Sequence, residues 1–136
     1  MSETVERVKS DIQNNKLVSY VKSGTNAGYP NSVIEWIPIA SLKYKRAFMH
    51  MNSYTVGSGV TFFQLGIGIA DSSKNRITQG LSYVGLQSNG TVVKSSYISL
   101  EDIINKNPTA AYFFVYIDAN GTANSYSIDG SIEYQS

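Results

Sequence analysis

The sequence predicts an all-β fold, a two-sheet antiparallel sandwich, on three observations. Seven or eight short stretches rich in strand formers follow one another, and clusters of Gly, Asn, Ser and Pro punctuate them. Strands do not alternate with helices, which excludes a doubly wound parallel sheet. Jelly-roll connectivity is expected ahead of an immunoglobulin-like one, with a small closed barrel as the runner-up. The 136 residues suit one domain. Residues 1–15 read as an N-terminal helical arm and 16–136 as the sandwich.

The arm places Val5, Val8 and Ile12 on one narrow apolar stripe, with Glu3 and Glu6 near the positive end of the helix dipole. It either lies on the domain's own sheet or docks on a neighbouring subunit. "LVSYV" is the first strand and "KSGTNAGYPNS" a loop. "VIEWIPIAS" follows, and Pro38 argues for an edge position or a bulge because proline cannot donate to a ladder. "YKRAFMHMNSYTV" alternates Ala47, Met49 and Met51 against Phe48, His50, Asn52 and Tyr54. "VTFFQLGIGIADSS" sets Thr61, Phe63, Leu65, Ile67 and Ile69 on one face. Phe62, Gln64, Gly66 and Gly68 form the other, where the glycines let something pack closely. "RITQGLSYVGLQ" is a strand weakened by Gly80 and Gly85, and "SNG" is a hairpin turn before "TVVKSSYISL".

"SLEDIINKNP" reads as a short helix near residues 100–106. Ser99 caps it, Glu101 and Asp102 fill its first turn, and Pro108 follows its end. The chain closes with "AAYFFVYIDANGTANSYSIDGSIEYQ", which reads as a hairpin turning at Asn120-Gly121. Its final strand has one wet face of Ser127, Asp129, Ser131 and Glu133. Its first strand has two apolar rows. Phe113, Val115 and Ile117 need one cover; Tyr112, Phe114 and Tyr116 need a second, from this chain or from the next one.

Composition narrows the function. Charged residues are 15% against a typical quarter, and the formal net charge is +1. That gives no electrostatic case for nucleic acid or an anionic membrane. There is no cysteine, no signal peptide and no apolar run long enough to span a bilayer. No enzyme chemistry emerges and no cofactor or metal is expected. His50 is the single histidine and has no nearby carboxylates in sequence. "GIGIAD" lacks the third glycine and following helix of a dinucleotide loop, and "DANGT" lacks the acids of a calcium loop. "LKYKR", with Lys43, Lys45 and Arg46, reads as a solvated strand end ahead of a contact for phosphate or a carboxylate.

The ten tyrosines suit protein interfaces or sugar stacking, against a background of plain β-propensity. Tyr112, Phe114 and Tyr116, with Val5, Val8 and Ile12, are the candidate interface. Tyr29, Trp36 and Tyr44 are the candidate sugar contacts. The terminal "AAYFFVYIDANGTANSYSIDGSIEYQ" pair and the "SLEDIINKNP" insertion resemble, in overall style, viral single jelly-roll structural proteins. The resemblance spans the whole chain and matches no motif residue by residue. It implies a non-enzymatic virion protein made in the host cytoplasm: a capsid, capsid-decorating or tail-associated subunit. Its partners would be copies of itself or other virion proteins. The alternative is a carbohydrate- or receptor-binding module that meets a cell-surface glycan.

Overall fold

A computed structural model of the chain describes residues 15–25, 32–120 and 125–136. The arm carrying Val5, Val8 and Ile12, and Tyr29, lie outside the described residues. The strands are β1 (Lys16–Thr25), β2 (Val33–Pro38), β3 (Arg46–Val56), β4 (Phe63–Ala70), β5 (Arg76–Leu86), β6 (Val92–Val93), β7 (Ser95–Ser99), β8 (Tyr112–Ala119) and β9 (Ser125–Gln135). Among the described residues a single α-helix, α1 (Leu100–Lys106), connects β7 to β8.

Two antiparallel sheets form. Sheet 1 has the order β1-β9-β3-β7 and sheet 2 the order β2-β8-β4-β5-β6. Setting aside the two-residue β6, the pairs β1–β9, β2–β8, β3–β7 and β4–β5 are nested. The chain is thus an antiparallel ribbon folded over onto itself, which is the jelly-roll form of the sandwich.

The nesting corrects one expectation. β8 and β9 are not a hairpin: β8 pairs with β2 and β4, while β9 pairs with β1 and β3. The two strands therefore lie in different sheets. Asn120, just past the end of β8, makes its bonds through its side chain. Its Oδ1 accepts from the Thr61 and Phe62 amides at 2.7 and 2.6 Å, and its Nδ2 donates to the Gly59 carbonyl at 3.3 Å. The end of β8 is thereby tied to the segment that leads from β3 into β4.

The inner faces follow the period of two. Ala47, Met49 and Met51 face Phe63, Leu65, Ile67 and Ile69 across the core, with Phe113, Val115, Ile117, Ile128 and Ile132. Tyr54 departs from the expected side. A bulge between Met51 and Ser53 inserts one residue, so Tyr54 pairs with Ile128 and stacks on Phe63 at 5.9 Å. Pro38 ends β2, which is an edge strand as its proline requires. "TVVKSSYISL" is two strands rather than one, because the chain crosses between sheets at Lys94.

α1 forms as its sequence dictates. Ser99 Oγ accepts from the Asp102 amide at 3.2 Å, and Lys106 pairs with Asp102 at 3.0 Å one turn away. Its apolar side, Leu100, Ile103 and Ile104, closes one end of the core.

β4 is buried along its whole length. Its outer face carries no side chain at Gly66 and Gly68, and β8 fills the space. A β-carbon at Gly66 would fall inside the Tyr116 ring, and one at Gly68 would strike Phe114 and the Thr78 carbonyl. Gly68→Ala is expected to destabilise the fold by about 1–3 kcal/mol, read as a lower urea midpoint at unchanged slope. An unchanged midpoint would mean the rings do not rest on β4.

Candidate functional site

Three places gather chemistry-bearing side chains: the outer face of sheet 2, the gap between β1 and β2, and the outer face of sheet 1.

The outer face of sheet 2 holds the second aromatic row. Phe114 and Tyr116 have no accessible surface in the single chain, and Tyr112 is half-buried. This corrects their assignment as a docking row: the cover of Phe114 and Tyr116 comes from this chain. The rings lie sideways over the glycines of β4, with Ala70, Val33 and Trp36 packed around them. β5 completes the cover. It takes a four-residue step, from Thr78 to Ser82, against the two-residue step Ile67 to Ile69, so a bulge around Gly80 leans over the Tyr116 hydroxyl. Gln64 Nε2 donates to that hydroxyl at 2.8 Å. The cross-strand match of alternate glycines on β4 with alternate aromatics on β8 is the signal in the sequence that marks this layer.

At the margin of the same face, Trp36 meets Tyr112 edge-on at 5.8 Å and Phe114 at 5.5 Å. Lys74 Nζ stands 5.1 Å from the Trp36 ring centroid and 5.4 Å from that of Tyr112. Tyr44, assigned with Trp36 as a sugar contact, is elsewhere. It packs on Tyr134 at 5.5 Å, between the sheets. The structure therefore does not bring the two together.

Tyr44 lines a cavity of about 50 Å³ with Lys16, Glu35, Ile37, Leu42 and Tyr134. Beside it the buried Tyr20 hydroxyl donates to Glu35. The Tyr134 hydroxyl is buried without a well-formed hydrogen bond. Sites for small molecules run to roughly 300–1,000 Å³, so this space is the size of one or two waters.

The outer face of sheet 1 is broad and weakly charged. Across its strands lie Leu17, Ser19 and Val21 of β1; Glu133, Ser131 and Asp129 of β9; Phe48 and His50 of β3; and Tyr97 and Ser95 of β7. Phe48 and Tyr97 contact at 5.1 Å, and Tyr97 is 53% exposed. His50 is flanked by Ser131 and Ser95 on the neighbouring strands. Among the described residues there is no group of three or more His, Asp or Glu placed to hold a metal ion. No described helix is long and apolar enough to cross a membrane. The sequence matches no protein-family model and no curated protein.

Burial pushes the hydroxyls of Tyr20, Tyr116 and Tyr134 above the ordinary tyrosine range. The neighbouring Tyr134 and Glu35 add to the effect at Tyr20, and Asp118 adds to it at Tyr116. The fold thus favours the neutral forms. Their contribution to stability is complete below the unfolded value of about 10 and is lost as pH rises above it. Absorbance of tyrosinate near pH 11.5 should show these three hydroxyls still protonated while the fold persists, and all ten ionised in denaturant. Ten ionised tyrosines in a protein with a native far-ultraviolet spectrum would contradict this burial. Tyr116→Ser should cost the monomer about 3–5 kcal/mol, through the cavity it leaves and the loss of the Gln64 partner. A chemical melt in dilute protein measures it, and a loss confined to an associated state would restore the docking assignment.

Proposed function

We propose that this chain is a non-enzymatic structural subunit of a virion, in a capsid, capsid-decorating or tail-associated position, that docks on copies of itself or on other virion proteins. The observation that carries the reading is the outer face of sheet 1. It spans four strands, is rich in serine, and exposes Leu17, Val21 and Tyr97 with few charges. Interfaces are depleted in charge and enriched in aromatic residues at their centres. The jelly roll itself serves capsids and lectins alike, so the fold does not choose between them. The small size of the β1–β2 cavity weighs toward flat contact and away from an enclosed ligand.

A second reading, a glycan-binding receptor module, is favoured by one observation. Trp36 and Tyr112 form a half-buried aromatic corner with Lys74 above both. A ring there can stack on a pyranose.

Light scattering after gel filtration discriminates. The assembly reading expects a mass of at least twice that of the chain as concentration rises through roughly 10–100 µM, the affinity range of weak standard interfaces. A strict monomer that binds glycans on an array, and loses them on Trp36→Ala, would replace it with the second reading.

A further inference from the structure

The four sheet edges are unequal. Sheet 2 ends in β2 and β6, and sheet 1 in β7 and β1. β6 has two residues; β2 is broken by a register shift between Val33 and Glu35 and stops at Pro38. β7 has five residues and runs straight into α1. Short strands, bulges and prolines are the devices that keep an edge from pairing with another chain. β1 lacks them. It is ten residues long, without proline, and in unbroken register with β9 from Lys16 opposite Tyr134 to Thr25 opposite Ser125. Among the described residues it pairs with β9 alone. Its outer row exposes Leu17 at 65% and Val21 at 71%.

We propose that β1 pairs antiparallel with β1 of a second copy, about a two-fold axis through Val21, joining two sheets 1 into one continuous eight-stranded sheet. This deepens the assembly reading and rests on it. The occupant and the register follow from charge. Lys16 and Lys22 lie on the inner row of β1 with Tyr20, and lysine is itself an edge protector unless an acid meets it. A two-fold through Ser19 would set Lys16 against Lys22, and one through Lys22 would set that residue against itself; like charges directly opposite are unfavourable. A two-fold through Tyr20 would set Lys22 against Val18. A two-fold through Val21 sets Lys22 opposite Tyr20 of the other copy, whose hydroxyl is held by Glu35. Each copy then brings an ammonium group to the other's carboxylate. Among the described residues the one ion pair is Lys106–Asp102, and neither Lys22 nor Glu35 forms one there. On the outer row, Val21 meets its own copy and Ser19 meets Ser23. Self-complementary pairing of this kind closes a dimer and leaves no free β1 edge to propagate.

The chain has no cysteine, so single substitutions report contacts without background. Val21→Cys should give a disulfide-linked dimer on mild oxidation, since directly opposite strand residues have Cα atoms about 4.5–5.5 Å apart. Ser19→Cys should not, because the two copies of residue 19 are offset by four positions, roughly 13 Å along the strand. Lys22→Glu should weaken dimerisation on the order of tenfold, and adding Glu35→Lys should recover it. If Val21→Cys stays unlinked while light scattering shows an oligomer, the β1 pairing is wrong and the assembly reading stands. A monomer at every concentration removes both. Cross-linking by Ser19→Cys in place of Val21→Cys overturns the register.

Discussion

β4 is a strand buried on both faces, and two missing side chains make that possible. Its inner residues fill the core between the sheets. Its outer face is bare at Gly66 and Gly68, and the rings of Tyr116 and Phe114 occupy the space that β-carbons would take. Glycine inside a strand normally weakens it. Here the neighbouring aromatics compensate, as rings laid over strand glycines do elsewhere. The central strand of sheet 2 is thus held by apolar contact from both sides.

That arrangement decides how the rest of the surface is divided. The aromatic row of β8 is folded down onto its own sheet, so Phe114 and Tyr116 are withdrawn from a partner, and Trp36, Tyr112 and Lys74 stand at the margin. Among the described residues sheet 1 has no second layer. Its outer face carries Ser127, Asp129 and Glu133 of the final strand, while Ser131, expected on the same wet face, is buried; its exposed apolar side chains stand on β1 and β7. Among the described residues, sheet 2 covers its own outer face, and sheet 1 keeps a long edge strand paired on one side alone.

Much of this is legible in the sequence because burial imposes a period of two. The inner rows of β3 and β4, the Ser99 cap, the edge position of Pro38 and the "SNG" turn each have a local cause, and each is where the sequence places it. What is not legible is non-local. A turn signal such as "DANG" marks a reversal of direction, but the same residues serve a hairpin and an arch between sheets. Which one forms depends on whether β9 pairs with β8 or, as here, with β1 and β3. The bulge at Asn52 moves Tyr54 inward without any local mark. The question posed by Tyr112, Phe114 and Tyr116 could be read only by setting β8 beside β4, where alternate aromatics meet alternate glycines. Sequence order separates these strands by some forty residues. Trp36 and Tyr44 look like neighbours along the chain, yet the turn at Ile39–Ser41 and the strand faces send one outward and the other between the sheets.

Amide hydrogen exchange, followed at low and high protein concentration, tests this division most directly. Self-cover of sheet 2 and an open β1 edge predict slow exchange in β4 and β8 at both concentrations, while amides within residues 17–25 gain protection only in the concentrated sample. Fast exchange in β8 that slows only on concentration would show that its aromatic row is covered by a neighbour, and would contradict the account.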